Sequence, residues 1–393
     1  MDKKNTNNQN LPPGWRKVKL GEIVEINPFV KLERGKEYPY IDMADVQPFS
    51  QISRWSKLKV FNGSGAKFEN GDTIFARITP CLENGKIAYI SNLNEPGFGS
   101  TEFFVMRGKK GISDSRFVYC LLITHKVRKL AEQSMIGASG RQRVEREAFE
   151  KIEIEIPEDI NEQKRIADIL SAFDDKIEVN NKIIKTLETM AQEVFKEWFV
   201  RFRFPGWEKV KFVDSELGKI PEGWEVKNIM KIIKRLSVDK RYDNKTSLSK
   251  GKVPILDQGQ SGIIGFHNEE PSFKADPKNP VAVFSNHTCY YRLVTFYFSC
   301  IQNVIPYIGI NGYSTSFVFY LTKDKIKMSD YKGHWPEFTN QKFVIPPQKL
   351  AGEYSEIAQP IIEKIDEIKK ENQTLAAIRD LLLPKLMKGE IRI

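Results

Sequence analysis

Cysteine is scarce in this chain. There are four in 393 residues, Cys81, Cys120, Cys289 and Cys300, and no C-x-x-C pair among them. That spacing offers no disulfide framework and points to reduced thiols in a cytoplasm. Histidine is equally scarce, and only His287 and Cys289 stand at ligand spacing, too few for a zinc site. No apolar run reaches 18 residues, so no helical membrane span is expected. The first ten residues, MDKKNTNNQN, lack the apolar stretch of a signal peptide and read as a disordered tail.

Catalytic signatures are missing too. GSGAK at 63–67 is too short for a phosphate-binding G-x-x-x-x-G-K-[ST] loop, and there is no G-x-S-x-G elbow. NPF at 27–29 is similar to the base-holding tetrapeptide of adenine methyltransferases but lacks its second proline. ENGK (83–86) and DYK (330–332) are nuclease-like fragments without an upstream Pro-Asp, frequent by chance in a lysine-rich chain. The expectation is a chain without catalytic residues, metal or cofactor of its own.

What the sequence does hold is length, positive charge and a repeat. A chain of 393 residues exceeds one ordinary core, so two domains are expected. Sixty-one basic residues against 51 acidic give a net charge of +10, compatible with a polyanion partner. LPPGW at 11–15 returns as IPEGW at 220–224, an offset of 209. Short β-rich runs follow each: TIFARI (73–78), KIAYI (86–90) and EFFVM (102–106), then KVPIL (252–256), NPVAVFS (279–285), TFYFSC (295–300) and TSFVFYL (315–321). FVYCLLITHKVRKLAEQ (117–133) reads as helix and KIEIEIPE (151–158) as a strand.

Residues 161–200 contain no glycine and no proline. Their seam, spaced 4-3-4-3, is Ile166, Leu170, Phe173, Ile177, Asn180, Ile184, Leu187, Ala191, Val194 and Trp198. That pattern predicts a coiled-coil helix of ~60 Å, with the polar Asn180 fixing register. A second helix is clearest from Pro360 to Leu383, and an offset of 191 aligns Ile368, Asn372, Leu375 and Ile378 with the first seam. The shorter helix, ~36 Å long, would match one turn of B-DNA. The expected fold is mixed α/β. Two globular domains alternate with two long antiparallel coiled-coil helices in a pseudo-twofold internal repeat.

The boundaries follow from these shifts. Residues 1–10 are a tail, 11–158 the first domain, 159–204 a central helix, 205–347 the second domain and 348–393 a C-terminal helix. Candidate nucleic-acid contacts lie in loops. In the first domain they are Arg77, Thr79, Lys86, Ser100, Thr101, Arg141, Gln142 and Arg143. In the second they are Gln258, Gln260, Ser261, His287, Thr288, Lys332 and His334, with Trp335 assigned to packing. Arginine can pair with guanine O6/N7 and glutamine with adenine N6/N7. Two readings remain open at this point: a reader of nucleic acid, and a coiled-coil adaptor with two interaction domains that binds none.

Further motifs narrow the choice. They are G-D-x-I-F-A-R at 71–77, G-x-x-x-R-Q-R-V at 137–144 and IPEDINEQKRIA at 156–167. SELGKIPEGW at 215–224 and LLPKLMKGEIRI at 382–393 complete the set. In this order, on a duplicated layout, the chain resembles the specificity subunits of Type I restriction–modification systems. The resemblance implies two target recognition domains, each reading half of a gapped double-stranded DNA site. It implies that the helices dock two methyltransferase subunits, with two restriction motor–nuclease subunits beyond them. S-adenosylmethionine, ATP and Mg would then belong to those partners, in a cytoplasmic complex with no membrane. A methyltransferase-only system remains an alternative.

Overall fold

A computed structural model describes residues 11–52, 57–138, 140–238, 240–259, 262–330 and 332–393. The expected tail at 1–10 and the candidates Gln260 and Ser261 lie outside these residues. The chain divides into two compact units, one holding the residues up to Val179 with Asn372–Ile393, the other Asn180–Glu371. The boundary therefore falls inside both long helices.

In the first unit a five-stranded sheet runs in the order 24–26, 103–108, 73–76, 87–90, 50–52. All neighbours are antiparallel except the last pair, which is parallel. A four-stranded sheet, ordered 57–60, 37–41, 97–99, 66–68, packs on one face. The pleat decides which residues go where, since successive side chains point to opposite faces. Ile74, Ala76, Phe103 and Val105 face the second sheet and join Ile41 and Phe68 in one core. Phe75, Phe104 and Met106 face the other way, onto a helical layer. That layer contains Ser115–Leu122, whose first turn is capped by Asp114 accepting from the amides of Arg116 and Phe117. Strand Trp15–Lys19 pairs antiparallel with Glu153–Pro157 and closes the unit.

The second unit repeats this arrangement, except that its main sheet has no counterpart of the edge strand 50–52. One sheet is ordered 233–235, 304–309, 281–285, 291–294, the other 263–267, 253–256, 297–300, 273–274. Val281 and Val283 face the second sheet, while Ala282 and Phe284 face the helices. Glu225–Asn228 closes the unit against Lys342–Ile345. The repeated Gly-Trp turn leads into this closing ribbon both times. The segment IFARITPCLENGKIAYI, which shows no counterpart in sequence, has one in structure: strands Val281–Ser285 and Tyr291–Val294.

Three local expectations change. TSFVFYL is a helix, Thr315–Thr322, capped by Ser314. It is buried on every side, so it shows no helical period, and its branched and aromatic residues imitate a strand. Residues 117–133 form two helices, Ser115–Leu122 and His125–Gln133, because Thr124 caps the second. The C-terminal helix begins at Gln348, as its boundary was set, but it is regular through Pro360 and runs 39 residues to Leu386, longer than the 360–383 stretch that reads most clearly. Pro360 and Glu356 are both exposed, so the carbonyl freed by the missing N–H can meet water. The central helix, Ile160–Phe199, has 40 residues. At 40 and 39 residues each helix spans ~60 Å, so neither matches the ~36 Å of one turn of B-DNA.

Within each unit the helices pack antiparallel. In the second, Asn180 is buried and donates from Nδ2 to Glu371 Oε2 at 2.9 Å. Ile184, Ile365 and Ile368 cluster beside it, with Leu187 against them. In the first, Ile166 and Leu170 share a core with Leu386 and Met387. Phe173, Ile177, Asn372 and Leu375 are half-buried. Two seam expectations fail at the ends. Ile378 is 40% exposed and its neighbour Arg379 turns inward to Asp174. Ala191, Phe195 and Phe199 are buried, while Val194 and Trp198 are only half-buried. A straight helix drifts ~20° per heptad from a strict seven-residue repeat, so extrapolated seams rotate away.

Gln163, at the heart of the IPEDINEQKRIA motif, is fully buried. It accepts from the Asp114 amide at 3.0 Å and donates to the carbonyls of Pro157 and Ile112 at 2.9 and 3.3 Å. It fixes the start of the central helix to the closing strand. In the second unit the matching Pro346 carbonyl takes its bond from Tyr313 Oη, at 2.9 Å.

Among the described residues no helix is long and apolar enough to cross a membrane. All four cysteines are free thiols, and burial pushes that of Cys300 up to about 12.

Candidate functional site

In each unit the loop candidates gather where one central strand ends and its antiparallel neighbour begins. In the first, Ala76 pairs with Phe103. The Arg77 amide donates to Glu102 O at 3.0 Å, and the Val144 amide to Arg77 O at 2.8 Å. Thr79 is stitched to Gln142 twice: its amide donates to Gln142 O at 3.0 Å, and its Oγ1 accepts from Gln142 N at 3.1 Å. So residues 77–79, 100–102 and 141–144, far apart in sequence, form one surface.

Its charged centre is Glu102. Arg143 Nε lies 3.1 and 3.0 Å from the two carboxylate oxygens, and Nη2 lies 2.7 Å from Oε1. Arg77 Nε is 3.5 Å from Oε2, with its guanidinium over the Phe104 ring. The hydrogen bonds from Arg143, above all, hold the Glu102 carboxyl below the usual carboxylate range. Arg141 and Thr101 are exposed beside this cluster.

Ser100 and Lys86 serve the fold. Ser100 Oγ accepts from the Glu102 amide at 3.2 Å. Lys86 Nζ donates to the carbonyls of Met43 and Val46 at 2.7 and 3.3 Å, tying down the loop after strand 37–41. The small residues of FGST also meet their own sheet, since a Cβ on Gly99 would stand 2.6 Å from Ile41 O. That close approach is internal.

The second unit has the same backbone frame. Ser285 pairs with Val304. The Asn286 amide donates to Asn303 O at 2.9 Å, and the His334 amide to Asn286 O at 2.8 Å. Asn286, Asn303 and His334 thus stand where Arg77, Glu102 and Val144 stand in the first unit. Gln258 joins them: its Oε1 accepts from the His287 amide at 2.8 Å, and its carbonyl from Thr288 Oγ1 at 2.6 Å. Thr288 and Lys332 are exposed, and Lys332 Nζ is 2.8 Å from Glu337 Oε1. His334 corrects an expectation. Its side chain is fully buried, with Nδ1 3.0 Å from Glu337 Oε2 and Nε2 3.1 Å from Asp330 O, so it cannot reach a ligand. Trp335 stacks on Phe338 at 4.9 Å, in agreement with its assignment to packing.

Residues 12–189 match a family model described as the Type I restriction modification DNA specificity domain. Over 99% of its length the chain is 27% identical to the MjaIX specificity subunit of Methanocaldococcus jannaschii, 96% of which is covered. Over residues 12–189 the chain is similar to the Type I restriction–modification specificity domain, and over its length it is similar to a specificity subunit of that kind. The EcoAI specificity subunit of Escherichia coli is 34% identical over 40% of this chain and 27% of its own. The S subunit of M. genitalium shares the fold, with a TM-score of 0.54 at 18% identity, covering 97% of both chains.

Four residues at the candidate sites were not singled out from the sequence. Glu102 opens the strand EFFVM, and an acid between a small-residue loop and an apolar run, opposite an R-Q-R segment, was the available signal. Asn286 and Asn303 carry no signal outside the fold. Arg292 spans the second unit's Gly-rich loop, donating to Gly262 O at 2.9 Å and to Gly259 O. It does for that loop what Lys86 does for residues 43–46.

Proposed function

We propose that this chain reads a gapped, two-part site in double-stranded DNA, one half through each strand-end cluster. One observation carries the reading. Two domains with the same strand order present the same backbone frame and fill it with different side chains, Arg77 and Glu102 in one, Asn286 and Asn303 in the other. A shared frame with exchanged side chains is what reading two different half-sequences requires, since base edges are distinguished by donor and acceptor pattern. The chain supplies no catalysis. S-adenosylmethionine, ATP and Mg act on two methyltransferase and two restriction motor–nuclease subunits in a cytoplasmic assembly.

The helices are the docking elements in this reading, through residues other than the seam. Ile166, Leu170 and Ile184 are already buried within the chain. Ile183 and Met190 lie 40% and 52% exposed on the central helix, seven residues apart. An outward-facing apolar pair one heptad apart fits a partner helix.

The test is a map of N6-methyladenine in cells carrying this chain and its methyltransferase, against cells lacking only this chain. A gapped motif that disappears in the control is the expected result. Methylation unchanged by the loss would overturn the reading.

A further inference from the structure

The geometry at Glu102 separates base contact from phosphate contact. A guanidinium has two edges that offer paired donors, a side edge of Nε with Nη2 and an end edge of Nη1 with Nη2. Glu102 occupies the side edge of Arg143. Among the described residues the end edge is engaged only by a bond from Nη1 to Arg141 O at 3.3 Å, in an exposed setting. An edge held this way fits two acceptors side by side, either guanine O6 and N7 or two phosphate oxygens.

Charge decides between them. The Glu102 carboxylate neutralises part of the Arg77–Arg143 pair, and it would repel a phosphate brought to Arg143. A guanine edge carries no net charge, so it keeps both hydrogen bonds without that repulsion. Ordering also favours a base. Arg143 is fixed before binding, which lowers the entropic cost of a directional contact. Arg141 is exposed, and among the described residues no carboxylate lies within ion-pair distance of it. It retains a full charge and a free side chain, the properties of a phosphate contact.

We infer that Glu102 is a positioning residue, holding the end edge of Arg143 toward a guanine in one half-site while Arg141 meets the backbone. This rests on the DNA-reading function proposed above and, of the two arginines that the sequence offers there, gives the base contact to Arg143. The second domain has Asn303 in place of Glu102, so its half-site is read by other means.

The full chain is tested in cells with its methyltransferase, mapping N6-methyladenine for wild type, Arg143→Lys, Glu102→Gln and Arg141→Ala. Arg143→Lys keeps the charge and loses the paired edge. It should lower discrimination at one guanine of one half-site by roughly ten- to hundred-fold and leave the other half-site unchanged. Glu102→Gln should relax the same position less. Arg141→Ala should reduce methylation at every site without changing a letter of the motif. An even loss in Arg143→Lys with the motif intact would make Arg143 a phosphate contact and overturn the inference. So would an unchanged motif in Glu102→Gln, or complete loss of methylation in that near-isosteric variant, which would assign the cluster to folding. A wild type without a gapped motif would instead overturn the DNA-reading function itself, a separate outcome.

Discussion

Apart from an added edge strand in the first, the two domains share one strand order and one pattern of inward and outward residues, yet they satisfy the same local demands with different chemistry. At the end of the closing strand, a buried carbonyl is met by Gln163 in one and by Tyr313 in the other. At the loop after the strand that pairs parallel in the smaller sheet, the clamp is Lys86 in one and Arg292 in the other. At the candidate site, a charged triad faces a neutral pair. Backbone hydrogen bonding is what the repeat keeps. Side chains are free to differ wherever the frame itself does not depend on them.

The helix seams offer the largest effect with which to break this parallel. The first unit buries an ion pair, Asp174 with Arg379, each side chain only 13–14% exposed. The second buries Asn180 against Glu371. Arg379→Ala leaves the Asp174 carboxylate without its main counter-charge. It should cost about 3–5 kcal/mol in denaturant unfolding. Asn180→Ala removes a hydrogen bond without stranding a buried charge, and should cost about 1 kcal/mol. Equal losses would mean that the two polar layers do the same job.

The carbonyl bridges give an intermediate contrast. Gln163→Ala strands the Asp114 amide and the Pro157 carbonyl in a buried setting and should lower stability by about 3 kcal/mol. Tyr313→Phe keeps its ring in the core and loses only the bond to Pro346 O, about 1 kcal/mol. If Tyr313→Phe proved the costlier change, the second unit would depend on that bond more than the first does on Gln163.

Much of this organisation was legible in the sequence, and the misses share a cause. The duplicated Gly-Trp turn, the long helix free of glycine and proline, and the alternating strands are local signals, and each appears in the structure. TSFVFYL failed because complete burial erases the amphipathic period that separates helix from strand. Ile378 and Trp198 failed because a strict heptad was extrapolated along helices whose apolar face drifts from a seven-residue repeat. His334 looked like a surface histidine because its partners, Glu337 and the Asp330 carbonyl, come together only when that turn folds over it. Glu102 was passed over for the same reason, since its arginines lie 25 and 41 residues away. The family likeness was readable from the order of motifs, and the candidate contact set was not, because it is assembled by tertiary structure.

The smallest expected effect separates the two candidate sites by pH. Glu102 faces Arg77 from the neighbouring strand and Arg143 from the hairpin 135–144, and both cations lower its pKa, Arg143 the more. A depressed folded-state value means that its stabilisation of the hairpin is complete above the ordinary glutamate range. It is lost only as pH falls through the lower folded value. Over that acidic window, amide exchange in residues 135–144 should rise several-fold beyond the intrinsic pH effect. Asn303 does not titrate, so residues 301–304 of the second domain should show no matching step. Glu102→Gln should abolish the step in the first domain and leave the second as it was. A step that survived in Glu102→Gln would belong to another carboxylate, and Glu102 would not be what holds the hairpin to the sheet.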